Sequence, residues 1–316
     1  MNWDSLLTSP RLLMEVTLRP IQGQRFQPTG FPDLGAAQYE TPGGRQMVLL
    51  ESAQSVANRL EMTIWDRAQA TLVPCAQGLS YVRVRTDTQE NFTNSILEAH
   101  RLNSPYILEG QDKHIFMMLK DELSSMEKGP VDVAKLAKMV AFLDVNSLLH
   151  GLFLAKKELS GGRLRLSRAL TGFIEAENIH VVQSGGVKND HVDPKGKTDA
   201  GFGNVPYHRE EFTGDITAYF NLDLAQIRGY RLGTAVEKLL VVLGLYKVQL
   251  FLREGLRLRT ACDLEVDGEV RVRKPIGWEI PSVQELESLL PELILLCQSE
   301  GVFANPPISV VNYTAK

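Results

Sequence analysis

Apolar and polar positions recur along this chain in two rhythms, and the switches between them mark its elements. Residues 12–19, LLMEVTLR, alternate as a buried strand does and are closed by Pro20. Across residues 48–64 the period lengthens: Leu50, Ala53, Ala57, Leu60 and Ile64 recur at helical spacing, which predicts an amphipathic helix. Its opposite face holds Glu51, Gln54, Ser55, Asn58 and Arg59, mostly uncharged hydrogen-bonding residues where a solvated face carries Lys and Glu pairs. Two readings stand: this face meets a ligand, or it hydrogen-bonds neighbouring loops.

Further on, YVRVR at 81–85 alternates as a short strand, and 109–119 fits no single period. After Gly129-Pro130 a helix is expected with Val133, Leu136, Ala137, Val140 and Phe142 on one side. Residues 161–174 read as a strand with Arg163, Arg165 and Ser167 on one face and Leu164, Leu166 and Arg168 on the other. From 183 to 213, Gly, Asp, Lys and His replace the apolar periodicity, and so long a connection is usually functional or mobile. A strand from residue 215, a long apolar helix over 234–255 interrupted at Gly244, and a hairpin over 255–274 turning at Asp267-Gly268 follow. The C-terminal region predicts an acidic helix pair broken at Pro291.

Composition narrows the class. With 316 residues, 44% hydrophobic and 23% charged, the chain is expected to be soluble and globular, with one large core carrying insertions or two modest domains. A net charge of -4 means that any nucleic-acid binding needs its cations segregated on one surface. Cys75, Cys262 and Cys297 have no C-x-x-C spacing, which fits free thiols in a cytoplasmic protein. The N-terminal residues show no apolar signal-peptide core, and the most apolar run, 239–246, is far shorter than the ~20 residues that span a bilayer.

Several active-site patterns fail. The GKT at 196–198 has His191 where a phosphate loop needs its first Gly, and Gly201-Phe202-Gly203 is followed by Pro206 where a dinucleotide fingerprint needs its third. There is no G-x-S-x-G elbow, and the six histidines form no zinc-ligand spacing, so neither a metal nor another cofactor is expected. What the chain does hold is Arg, Gln, Asn and aromatic residues beside Gly-rich loops. The loop after the first strand, GQRFQPTGFPDLG at 23–35, sets Gln24, Arg25, Phe26 and Gln27 between glycines. Arg neutralises phosphate, amides bond phosphate and 2′-OH oxygens, and aromatic rings stack on bases, so the set suits RNA. The competing reading seats Phe26 and Phe31 in the core, and Asp33 reads as a turn residue. Lys188, Lys195 and Lys197 form either a phosphate-gripping arm or a solvated loop balanced by Asp190, Asp193 and Asp199. Arg163 and Arg165, like Arg257 and Arg259, face solvent, RNA or carboxylates, Asp263 and Glu265 being the nearest for the second pair.

RFQPTGFPDLGAA, LLESAQSVANRLE, SPYI at 104–107, NSLLHGLFLA at 146–155, RLSRALTGFIEAE at 165–177 and GLRLRTACDLE at 255–265 together resemble a known family. It is the RAMP-type backbone subunit of the subtype I-G (formerly I-U) CRISPR surveillance complex, Cascade. The resemblance implies an α+β fold: an RRM-like, ferredoxin-like palm, an antiparallel sheet with helices, carrying inserted fingers and thumb. Residues 1–65 would begin the palm, 66–160 form the fingers, 161–182 a palm strand, 183–213 a thumb-type loop or hairpin, and 214–316 the second half of the palm with C-terminal helices.

Implied partners are CRISPR RNA, target DNA through the guide, other copies of the chain and other Cascade subunits, with no membrane. Implied RNA contacts are Gln24, Arg25, Phe26, Gln27, Gln54, Ser55, Asn58 and Arg59, with Arg163, Arg165, Lys188, Lys195 and Lys197 as further candidates and no catalytic residue. Two rival functions remain: a RAMP-type endoribonuclease processing CRISPR transcripts through His150, His191 or His208, and a metabolic enzyme whose polar helix lines a small-molecule pocket.

Overall fold

The computed structural model describes residues 3–31 and 34–314, so Asp33 and the expected turn at it lie outside the described residues, as does the burial of the Phe31 side chain. Among the described residues, eight strands form one sheet. They are β1 (Leu12–Pro20), β2 (Gln38–Glu40), β3 (Gln46–Glu51), β4 (Leu170–Lys188), β5 (Val205–Leu222), β6 (Arg257–Arg259), β7 (Cys262–Val266) and β8 (Arg271–Lys274). Their order is β6-β7-β1-β5-β4-β3-β2, with β8 also on β1, and every pairing is antiparallel. In β1 the buried Leu12, Met14, Val16 and Leu18 alternate with Leu13, Glu15, Thr17 and Arg19, so one face of the sheet is core and the other open.

Helices α1 (Ala53–Met62) and α2 (Thr234–Glu254) cover the core face, and α3 (Val283–Ser299) packs on α2. Three expectations are corrected here. The helix expected from residue 48 starts at Ala53, because residues 46–51 pair with β4 as a strand. Leu50 and Ala53 are three apart, so a strand end and a helix start together mimicked one helical stripe. Gly244 does not interrupt α2: a Cβ there would stand 3.3 Å from Leu222 Cδ1, so the glycine lets the helix approach β5 closely. Pro291 does not break α3, whose capping box at Ser282 and Glu285 starts it and whose Leu286, Leu290, Ile294 and Cys297 bury on one face. That burial outweighs the lost backbone bond.

The expected 255–274 hairpin is also different. β7 and β8 do not pair with each other; both hydrogen-bond to β1, β7 at Leu18–Pro20 and β8 at Leu13–Glu15. Gly268, at φ 103°, turns the chain between them, and Asp267 N–H bonds to Thr17 O.

Between α1 and β4 the chain builds an inserted layer around the strand Tyr81–Arg85 and the helices His114–Leu123 and Val133–Asp144. The strand Ile308–Asn312 returns to pair in parallel with Tyr81–Arg85. Of residues 183–213, the stretches 183–188 and 205–213 are strand: β4 and β5 stay paired out to Lys188 and Val205, leaving 189–204 as the apex of a long projecting hairpin. Small and polar residues such as Gln183, Ser184, Gly185 and Gly186 hid this from a reading based on apolar periodicity. No described helix is long and apolar enough to cross a membrane.

Candidate nucleic-acid interface

The loop after β1 lies across the sheet end, held by its own backbone. Phe26 and Phe212 exchange N–H···O bonds of 2.9 and 2.8 Å, Gln27 N–H bonds to Ala261 O, and Thr29 N–H to Leu50 O. Phe26 is therefore sealed in the core, with no exposed surface, and is not a base-stacking ring. Its neighbours point outward: Gln24 and Arg25 are exposed and Gln27 half-buried. Arg25 Nη1 stands 3.2 Å from the carboxylate of Glu211.

At the junction of this loop with α1 sits Glu51, only 1% exposed. Its Oε1 accepts from Arg259 Nη2 and lies 3.4 Å from Arg59 Nη2. Arg259 also donates to Gln27 O at 2.8 Å and Leu50 O at 3.0 Å, and Arg59 to Leu258 O at 2.7 Å. The two guanidiniums thus tie loop, strand and helix together around one buried carboxylate. Arg259 pairs with Glu51 and not with Asp263 or Glu265, whereas Arg257 does approach Asp263, at 3.9 Å. Glu51 Oε2 and Arg59 Nε have no hydrogen-bond partner.

Each guanidinium also lines a groove. On one side Arg59, Ser55 and Asn58 share a depression of about 790 Å³ with Trp65, Arg67 and Arg253. On the other, Arg259 and Gln27 line a groove of about 690 Å³ with Tyr207, His208 and Arg209 of the projecting hairpin. Arg209 lies over the Tyr207 ring, 5.5 Å from its centroid. Gln54 is exposed, donates to Asn58 Oδ1 at 2.8 Å and accepts from Arg168. Ser55, Asn58 and Arg59 thus share one groove and Gln27 lines the other, whereas Gln24, Arg25 and Gln54 line neither.

The remaining candidates lie apart from one another in the chain's architecture. Lys188, Lys195 and Lys197 are exposed on the hairpin's outer end and apex. Arg163 and Arg165 do not belong to a palm strand: the strand Leu164–Leu166 pairs only with Leu152–Leu154, in a small separate hairpin among the described residues. Arg163 there donates to Met126 O. Sequence reasoning missed Arg209, Arg67 and Arg253 as groove residues, because nothing in local spacing places them at these grooves.

His150 is fully buried and neither ring nitrogen has a partner. Burial, with Lys247, Arg101 and Arg168 nearby, holds its pKa well below the ordinary histidine value. It cannot touch a bound nucleic acid, whereas His191 and His208 are exposed on the hairpin.

Fold and site together define an antiparallel α+β protein whose open grooves are lined by arginine and amide side chains. The profile of the family described as CRISPR-associated protein GSU0053 matches residues 12–181, more than half of the chain, and the chain belongs to that family. No curated protein matches it. Among solved structures, a chain of a "CRISPR RNA-guided surveillance complex, pre-nicking" aligns over 92% of this chain and 89% of its own length, at 13% identity and a TM-score of 0.46. Csc2 of Thermofilum pendens aligns over 95% of this chain and 80% of its own, at 11% identity and a TM-score of 0.33.

Proposed function

We propose that this chain is a non-catalytic backbone subunit of a Cascade-type CRISPR surveillance complex, of subtype I-G. Several copies line up along CRISPR RNA with other Cascade subunits and present the guide for pairing with invading DNA. Family membership supports the CRISPR role. The observation that carries the guide-holding part is the pair of grooves flanking Glu51, where Arg59 and Arg259 each present one side to the fold and the other to open space.

In this reading Arg25, Arg59, Arg209 and Arg259 neutralise guide phosphates, while Gln24, Gln27, Gln54, Ser55 and Asn58 bond sugar and phosphate oxygens. These contacts grip without reading sequence, which base pairing supplies. The projecting hairpin, with Lys188, Lys195 and Lys197, is the thumb, and the inserted layer over 66–160 the fingers. The nuclease alternative loses its first candidate base with the burial of His150.

The test is co-expression with a CRISPR array and the partner subunits. The chain is expected to purify in an oligomer holding RNA, and Ser55→Asp with Asn58→Asp to lower RNA recovery without loss of folded protein. Purification as a nucleic-acid-free monomer would overturn the reading.

A further inference from the structure

The open face of the sheet carries a feature that the guide grooves do not use. Phe173 on β4 and Tyr219 on β5 are directly opposed across the strands, with ring centroids 5.0 Å apart and planes at 24°. Phe173 is 37% exposed. Beside them, where β8 ends against β1, lies a groove of about 430 Å³ lined also by Asn221, Arg273 and Lys274. Asn221 Oδ1 is enclosed and has no hydrogen-bond partner.

Charge at this groove favours an anion. Its one lining carboxylate, Glu15, is shared by Arg273 at 3.3 Å and Arg271 at 3.5 Å, and Lys274 is exposed at the rim. The carboxylates farther across the face are engaged: Glu175 accepts from Tyr39 Oη at 2.7 Å, and Glu177 pairs with Arg45. An aromatic pair, an unused amide acceptor and a cationic rim meet in one groove on an antiparallel sheet.

We propose that this face is a second nucleic-acid site, separate from the guide grooves, which takes an unpaired nucleotide of single-stranded RNA or DNA. The base stacks against the Phe173–Tyr219 pair, because every base has a π face and such stacking tolerates any sequence. Asn221 Oδ1 accepts from an exocyclic amino or ring N–H of the base, which supplies the partner it lacks. Arg273 and Lys274 meet the flanking phosphate. A peptide from a second copy is the less favoured occupant, since rings alone would suit it but the cationic excess would not select it.

The test uses the full chain with fluorescent four-nucleotide probes, rU4 and dT4 in separate arms, too short to follow the guide path. Binding is read by anisotropy and the contact by ultraviolet cross-linking and peptide mapping. Cross-links are expected at Phe173 or Tyr219, and Phe173→Ala with Tyr219→Ala should weaken probe binding about tenfold. Thermal melting confirms that the variant folds. The same variant should keep full recovery of guide RNA on co-expression, which separates this site from the grooves, and probe binding by a chain that holds no guide would leave this proposal standing while the groove reading falls. Unchanged probe binding in the double variant would overturn the proposal. So would a variant that only loses self-association, since that outcome makes the face a contact between copies.

Discussion

Glu51 and Glu61 stand at the two ends of α1, both nearly sealed from water and both tied to arginine, yet they do different work. Glu61 meets Arg101 through both oxygens, at 2.6 and 2.7 Å, and neither residue lines a groove described above. Arg101 comes from the inserted layer, so this pair ties that layer to α1. Glu51 meets two arginines through one oxygen, its second oxygen has no partner, and both arginines line open grooves. The contrast separates a satisfied ion pair that holds the fold from an incompletely satisfied one at a surface with room for a ligand.

The largest effect is expected at Arg101. Replacing it by Ala leaves the buried Glu61 carboxylate without its hydrogen-bonding partner, which costs about 3–5 kcal/mol. Chemical denaturation measures the loss, and hydrogen exchange should show it concentrated over 66–160, the inserted layer. In the double variant Glu61→Ala/Arg101→Ala the loss should be smaller than the sum of the singles, because no stranded charge remains. Equal and additive losses would mean that the pair does not couple that layer to α1.

At the other end of α1 the effect is smaller. Arg259→Ala removes three bonds, to Glu51, Gln27 O and Leu50 O, but Arg59 stays beside the carboxylate, so the expected cost is about 1.5–3 kcal/mol. Guide RNA recovery should fall with it, whereas Arg101→Ala should spare recovery once the protein is folded. If both variants lose RNA in proportion to their stability, the distinction between the two carboxylates fails.

Glu51 also shows how far the sequence could be read. Strand β1 and helix α2 were legible because their apolar patterns are long, whereas the single strand expected over 256–264 is split into β6 and β7, which pair with each other across a turn at Thr260-Ala261. The α1 face was legible as unusual, since Gln54, Ser55 and Asn58 do not suit a solvated helix, but its partners were not: Arg259 is 208 positions from Glu51, and only the order of strands brings them together. Phe26 misled because an aromatic between glycines suits both stacking and anchoring, and its backbone exchange with Phe212 decides for anchoring. The projecting hairpin was hidden because exposed on both faces it needs no apolar alternation, and the end-to-end strands on β1 because a turn signal does not say which strand the next one will join.

The two ends of α1 should also differ in their response to pH, because the Glu61 end contains Lys247, fully buried and donating to Leu60 O at 3.3 Å. Burial pushes its pKa from 10.5 down to about 7 against the pull of Glu61 and Asp144, with Arg101 adding to the depression. Between those values the unfolded chain binds the proton and the folded chain does not, so stability should rise with pH from about 7 towards 10.5, by up to roughly 1.4 kcal/mol per pH unit. Below pH 6.5 His150, held neutral in the fold, subtracts stability by the same logic as pH falls. Denaturation midpoints across this range should show the rise above pH 7, and Lys247→Met should flatten it while leaving the fall below pH 6.5. A persistent rise in that variant would assign it to other groups.

The smallest effect on stability is expected at the hairpin apex, which lies outside both clusters. Lys188, Lys195 and Lys197 are exposed, and replacing all three by Ala should leave the melting midpoint unchanged. Their contribution should appear only against nucleic acid. If each meets a phosphate, the slope of log affinity against log salt becomes less steep by about 0.7 for each phosphate no longer neutralised, or roughly 2 for the three together. Arg259→Ala should flatten the same slope by about 0.7 while also lowering stability, because in the proposed reading its cation at Glu51 is shared between fold and guide. An unaltered slope in the lysine variant would make the apex a solvated loop whose lysines are balanced by Asp190, Asp193 and Asp199, and would confine the electrostatic grip to the two grooves.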